Sequence, residues 1–234
     1  MLILAFETSA KAASVALMDG QKLLGESYQN TGLTHSQTLM VMAEDMLRSS
    51  GKTAADVQAV AVAEGPGSFT GVRIGVAAAK GFSWGKQIPC YGISTLEAMA
   101  ENLGAFSGIV CPAMDARRSQ VYNALFRAEA GKLTRLTPDR AIALSDLEKE
   151  LKEFENPIFL VGDGSNLCYN TMVSRVPNLV LPPEHRMHQR AVGVAILAAR
   201  QAEAWLSPSG NELTPNYLRL SQAERERMER ENKK

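Results

Sequence analysis

The chain has 234 residues, 45% of them hydrophobic, enough for one large domain or two small ones around a buried core. Lys+Arg and Asp+Glu both number 25, and the resulting zero formal charge speaks against a free-standing nucleic-acid binder with a basic face. No apolar run approaches the roughly 18 residues of a membrane span, and MLILAFETSA has no basic region ahead of a cleavable apolar stretch, so neither a span nor a secretory leader is expected.

The expected elements begin with three short strands: LILAFET (2–8), SVALMD (14–19) and KLLGESYQ (22–29). Asp19-Gly20 between the last two is a hairpin turn signal. THSQTLMVMAEDMLRSSG then changes to helical spacing, with Leu39, Met42, Ala43, Met46 and Leu47 on one face. Thr34 with Gln37 gives a capping-box signature, and Gly51 stops the helix. AVAVAEG (59–65) is a continuous apolar strand of the kind covered on both faces in a parallel sheet. GPGSFTGVRIGVAAAKG (65–81) opens as a glycine turn and continues as a helix, followed by the strand IPCYGIS (88–94) and a helix from about Thr95. Three strands, helix, strand, helix, strand is the order of the ribonuclease H-like fold, although periodicity alone gives only a mixed α/β sheet.

The order then restarts. GIVCPAMD (108–115) ends in an acid as LILAFE does; VYNALFRAE (121–129) and KLTRLTP (132–138) follow, with Ala130-Gly131 as the turn. SDLEKELKEF reads as a helix capped by Ser145, and PIFLVGDGS (157–165) as a buried strand with a glycine turn. Residues 176–189 are Pro-rich and expected to be irregular, and AVGVAILAARQAEAWL (191–206) is a last apolar helix. This faint duplication predicts an N-terminal lobe over 1–106, a degraded C-terminal lobe over 107–221 and a charged, solvated tail over 222–234. Cys90, Cys111 and Cys168 are odd in number, scattered and without a C-x-x-C, which fits small buried hydrophobes in a reducing cytoplasm.

LAFETSAKAASVAL, THSQTLM, EGPGSFTGVRIGVAAAKG, PCYGISTLEAMA and MDARRSQVY resemble, in order and spacing, the bacterial TsaB family, also called YeaZ. The likeness is specific over about residues 1–125 and looser beyond. It implies a duplicated ribonuclease H-like fold of the actin, Hsp70 and sugar-kinase group. It also implies a part in making N6-threonylcarbamoyladenosine in tRNA, beside the catalytic paralogue TsaD and the ATPase TsaE. The expected partners are TsaD, TsaE through the complex, tRNA only through the complex, and a second copy when alone.

TsaD carries two histidines four residues apart on the helix after the strand equivalent to IPCYGIS. Aligned on that core, this chain offers Thr95 and Met99, and neither is a good ligand for a hard or borderline metal. No metal, no cofactor and no catalytic residue is therefore expected, and a glycoprotease-like metallopeptidase is disfavoured. His35 reads as a helix-end histidine, and His185 with His188 lacks a third ligand. Glu7, Thr8 and Ser9, with Asp115 and the turn Gly162, Asp163 and Gly164, occupy the places of the nucleotide site in kinase and ATPase relatives. They are taken as a vestigial site, with a small-molecule kinase or ATPase as the alternative function.

The GPGSFTG loop lacks the lysine of a phosphate clamp, and a turn capped by Ser68 or Thr70 is the favoured reading. Gly71, Gly75 and Ala79 recur every four residues and make a groove for close helix approach. Either the groove packs inside the chain or it meets a partner. The resemblance favours the partner, through a surface of Met40, Glu44, Leu47, Phe69, Gly71, Val72, Arg73, Gly75, Val76 and Ala79, and adaptable Met-rich VMAEDM supports it.

Overall fold

In this computed structural model, which describes residues 1–204 and 207–219, every residue of the first strand β1 (Leu2–Glu7) is buried. β2 (Ala13–Asp19) and β3 (Lys22–Gln29) extend the sheet antiparallel from β1, and β4 (Ala59–Gly65) and β5 (Cys90–Ser94) extend it parallel on the other side, giving the order β3-β2-β1-β4-β5. The apolar run of β4 is covered on both faces, as its lack of alternation requires. One face carries α1 (His35–Ser49) and α2 (Phe69–Lys86), which bury Leu39, Met42, Met46, Val72 and Val76 against Leu4, Phe6, Val60 and Val62. Each such side chain contributes about 1.5–3 kcal/mol of transfer free energy.

The start of α1 is where the sequence places it, but Thr34 forms no side-chain cap. Its hydroxyl donates to the Gln37 side-chain oxygen at 2.7 Å instead. α2 is capped as expected, with Ser68 Oγ accepting from the Gly71 amide at 3.3 Å. α3 (Thr95–Glu101) begins directly at the end of β5 with Ser94 as its cap.

The second sheet repeats the first in its strand order. β6 (Gly108–Asp115) is central; β7 (Gln120–Asn123) and β8 (Phe126–Glu129) both pair antiparallel with it. Their register is common, Ala113 facing Asn123 and Val110 facing Phe126, so the expected strand 121–129 exists with a break in its middle. Pro112 has no N–H to give the ladder there, and the Asn123 side-chain amide donates to the Pro112 carbonyl at 2.8 Å instead. β9 (Lys132–Arg135) pairs with β8, and β10 (Arg140–Ala143), which periodicity does not reveal, pairs with β7. α4 (Leu144–Leu151), β11 (Ile158–Val161), α5 (Ser165–Met172) and the short β12 (Leu179–Val180) complete the lobe. β12 and a single 3-10 turn at Glu184–Arg186 give order to the stretch expected to be irregular. Ser145 is not the cap of α4: the helix starts two residues earlier than that cap implies, after Ala143, and the Leu144 amide donates to the Ser119 carbonyl.

α6 (Ala191–Glu203) follows the second sheet in the chain but joins the core of the first sheet. It leaves the second lobe and packs on the free face of the first sheet, where Val194, Ala195 and Ala198 meet Ile3, Ala5, Ala61 and Ile93. Ser14 Oγ accepts the first helical amide, from Ala191, and Arg190 forms a two-pronged ion pair with Glu26 of β3. Leu213 also joins the first core. The first lobe is thus built from both ends of the chain, because an almost wholly apolar helix can only be buried between layers. Residues 205–206 and the tail 222–234 lie outside the described residues.

Candidate functional site

The end of β1 and the loop before α2 are fastened to each other. Glu7 Oε1 accepts from the Ser9 amide at 2.6 Å, Thr8 Oγ1 donates to the Gly71 carbonyl at 2.8 Å, and the Ser68 amide donates to the Ser9 carbonyl at 2.6 Å. That docking explains the glycines. A Cβ on Gly71 would strike the Thr8 carbonyl oxygen, and one on Gly75 would strike Thr8 Oγ1 and lie 3.1 Å from Val62 Cγ2. The stripe therefore packs inside the chain. Of the residues expected to meet a partner, Leu47, Gly71, Val72, Gly75, Val76 and Ala79 are buried against the chain's own strands. The outer face is carried by other positions. Met40 is 47% exposed, Val41 56% and Trp84 78%, with Glu44, Arg73 and Ala77 beside them. Trp84 and Val41 were not singled out from the sequence, although both sit on the helical face opposite the buried stripe.

Between the lobes lies a cleft of about 520 Å³. Ser9, Lys11 and the loop 66–70 form one wall, Asp115, Arg117, Tyr122 and Asp163 the other, and residues 216–219 a third. The ends of β1 and β6 and the glycine turn after β11 thus face one cleft. Glu7 and Thr8 lie beneath the wall, fully buried. Burial raises the Glu7 carboxyl to about 7, against the lowering pull of Ser9, and Oε2 has no hydrogen-bond partner. Asp115 Oδ1 accepts the Arg117 amide at 2.7 Å and its other oxygen pairs with the Arg117 guanidinium at 3.3 Å. Burial also raises the Asp163 carboxyl, the charge of Asp115 adding to it. Gly162 and Gly164 lie against the Ala113 carbonyl, where a side chain would collide with β6.

The amide of Ser9 and the hydroxyl of Thr8 are bonded within the chain, while Lys11, Arg117 and Arg219 line the cleft together with the acids Asp115 and Asp163. The GPGSFTG loop behaves as a capped turn. Across the interface from the cleft, Arg135 pairs with Glu97 at 2.5 Å and Asp139 at 2.6 Å, and Ser94 Oγ donates to Asp139 at 2.5 Å, tying α3 to the second lobe. Glu64 nearby is pushed up by burial and by Asp139.

Thr95 and Met99, at the places where the resemblance expects ligands in TsaD, are both fully buried. Met99 packs with Leu96, Leu103, Val110 and Val161 in the core between the lobes. His35 Nε2 bonds the Ala10 carbonyl at 2.7 Å and so pins the start of α1 to the loop between β1 and β2, while His188 pairs with Glu184. Among the described residues, no group of three His, Cys, Asp or Glu side chains is arranged to hold a metal ion, and no helix is long and apolar enough to cross a membrane. All three cysteines are buried, and burial pushes the Cys168 thiol up to about 12.

The family profile of TsaD, the tRNA N6-adenosine threonylcarbamoyltransferase, matches residues 29–226. The tRNA threonylcarbamoyladenosine biosynthesis protein TsaB of Bacillus subtilis is 33% identical over 226 residues, covering 96% of each chain, so the likeness extends well beyond residue 125. A Pseudomonas aeruginosa structure described as similar to peptidase YeaZ superposes with a TM-score of 0.78 at 25% identity, over 93% of this chain and 99% of that one. The ROK hexokinase of Thermus thermophilus, at a TM-score of 0.51 and 11% identity over 87% of this chain and all of that one, shares the two-lobed fold alone. Full-length identity, matching architecture and the repeated β3-β2-β1-β4-β5 order place this chain in the TsaB (YeaZ) family of tRNA threonylcarbamoyladenosine biosynthesis proteins.

Proposed function

We propose that the chain is a non-catalytic subunit of the enzyme that installs N6-threonylcarbamoyladenosine in tRNA, pairing with a TsaD paralogue through the outer face of α1 and α2. The observation that carries this reading is that face itself: Met40, Val41 and Trp84 are exposed on two neighbouring helices whose inner faces are fully used. Exposed aromatic and methionine side chains with an arginine close by are the composition of interface anchors. The non-catalytic part rests on Thr95 and Met99. A threonine hydroxyl and a thioether buried in packing supply neither a borderline-metal ligand nor a proton-transfer group.

In this reading TsaE and tRNA meet the chain only within the complex, since a neutral charge balance offers few phosphate contacts of its own. A second copy covers the same face when the paralogue is absent, and the complex works in the cytoplasm. The test is reconstitution with TsaD and TsaE from the same genome, omitting each subunit in turn. Modification is expected to stop without this chain, and the chain alone is expected to modify nothing. Undiminished modification in its absence, or turnover by the chain alone, would overturn the proposal.

A further inference from the structure

Residues 208–219 cross the molecule in two stages. The first is anchored: the Cys90 amide donates to the Pro208 carbonyl at 3.0 Å, Leu213 is buried in the first core, and Lys80 Nζ holds the Leu213 carbonyl at 3.0 Å. The second overhangs the cleft. The Asn216 amide donates to the Glu64 carbonyl at 2.7 Å, and its carbonyl lies 2.5 Å from where a Cβ on Gly65 would sit. The Tyr217 ring stacks on Phe69 at 4.3 Å and its hydroxyl accepts from Arg73 Nε at 2.8 Å. Arg219 then reaches the second lobe, where its guanidinium donates to the carbonyls of Ala116 and Arg117.

We infer that residues 216–219 are a releasable strap that latches the second lobe to the first across the cleft mouth, with Arg73 as its trigger. The anchor at Leu213 belongs to the core, whereas among the described residues the strap is held by one bond between main chains, Asn216 to Glu64, and by side chains at the surface. Contacts of that kind open locally while the rest of the fold stays closed. Arg73 is the point of coupling. Its guanidinium lies 3.9 Å over the Phe69 ring while it holds the Tyr217 hydroxyl, and it stands exposed on α2, on the outer face assigned above to a partner. A partner that pairs with Arg73 draws it off Tyr217, frees the strap from the first lobe and loosens the two lobes. Only this last step rests on the proposed pairing with TsaD.

Hydrogen exchange on the full chain tests the strap without a partner. The double variant Tyr217→Ala, Arg219→Ala is expected to raise exchange over 214–219 by about tenfold, the effect of removing contacts worth about one net hydrogen bond. The thermal midpoint should fall by less than about 4 °C. Unchanged exchange would overturn the latch, and a fall beyond about 8 °C would show the segment to be an integral part of the fold. With the TsaD relative added and complex formation checked by co-purification, exchange over 214–219 is expected to rise in the wild-type chain. In a formed complex, exchange that stays level or falls would overturn the coupling. Failure to form any complex would instead count against the proposed pairing, the variants alone then deciding whether the strap exists.

Discussion

Glu7 is the residue where burial and charge conflict most directly. Its carboxyl titrates near 7 in the folded chain against an ordinary value of 4.5, because burial outweighs the hydrogen bonding from Ser9. A carboxyl raised in the folded state favours folding when protonated. Its contribution is therefore fully present below pH 4.5 and is lost as the pH rises through 7. The loss is about 3 kcal/mol from the size of the shift. Urea unfolding at pH 5 and pH 8 should show the wild-type chain losing that much more stability than Glu7→Gln. Equal losses would mean that the carboxyl titrates normally. Gly75 makes a second residue-scale prediction. Since its missing Cβ leaves room for Thr8 and Val62, Gly75→Leu should lower the stability of the isolated chain by 1–3 kcal/mol or more, read as a fall in thermal midpoint. A stable variant defective only in pairing would return the glycine stripe to a partner surface.

At the scale of elements, α2 depends on its cap and α6 on a glycine. Ser68→Ala removes the one side chain that accepts from the first turn of α2 and should cost about 1 kcal/mol in denaturant unfolding, with no change in slope. Gly193 lets α6 approach α3 so closely that an added Cβ would meet the Ala98 carbonyl carbon at 2.9 Å and its oxygen more closely still. Gly193→Ala should thus destabilise more than the Ser68 variant although it adds a single methyl group. The reverse ranking would contradict the packing of α6 on α3. The sequence located β1 to β5, α1, α2 and the start of α3, because their periodicity and turn residues are local signals. It missed β10 and joined β7 and β8 into one strand over 121–129, because those strands are four residues long and take their pairing from distant neighbours.

For the whole molecule, the unpartnered face of α1 and α2 sets the expected assembly. Sedimentation of the wild-type chain at high micromolar concentration should show a weak dimer. Trp84→Glu and Val41→Asp, both at exposed positions, should abolish it and weaken capture of the TsaD relative while the thermal midpoint holds within about 2 °C. A dimer that survives both changes would place the contact elsewhere. Isolated tRNA should bind poorly at physiological salt. Tight binding with a steep salt slope would reverse that.

The sequence by itself determined the family, the succession of elements in the first lobe and the acid at the end of β1 and of β6, since motifs and short-range periodicity are written residue by residue along the chain. It also told that the glycines of α2 serve close approach, but not to what. That choice was decided by tertiary structure, because a small-residue groove fits a neighbour of either origin until the docking of Thr8 on Gly71 and Gly75 assigns it. The return of α6 to the first lobe and the path of residues 216–219 over the cleft were likewise invisible, since both join segments more than 100 residues apart. Their positions follow from which buried face still lacked a cover once the two sheets had formed, a property of the assembled layers rather than of any stretch of sequence.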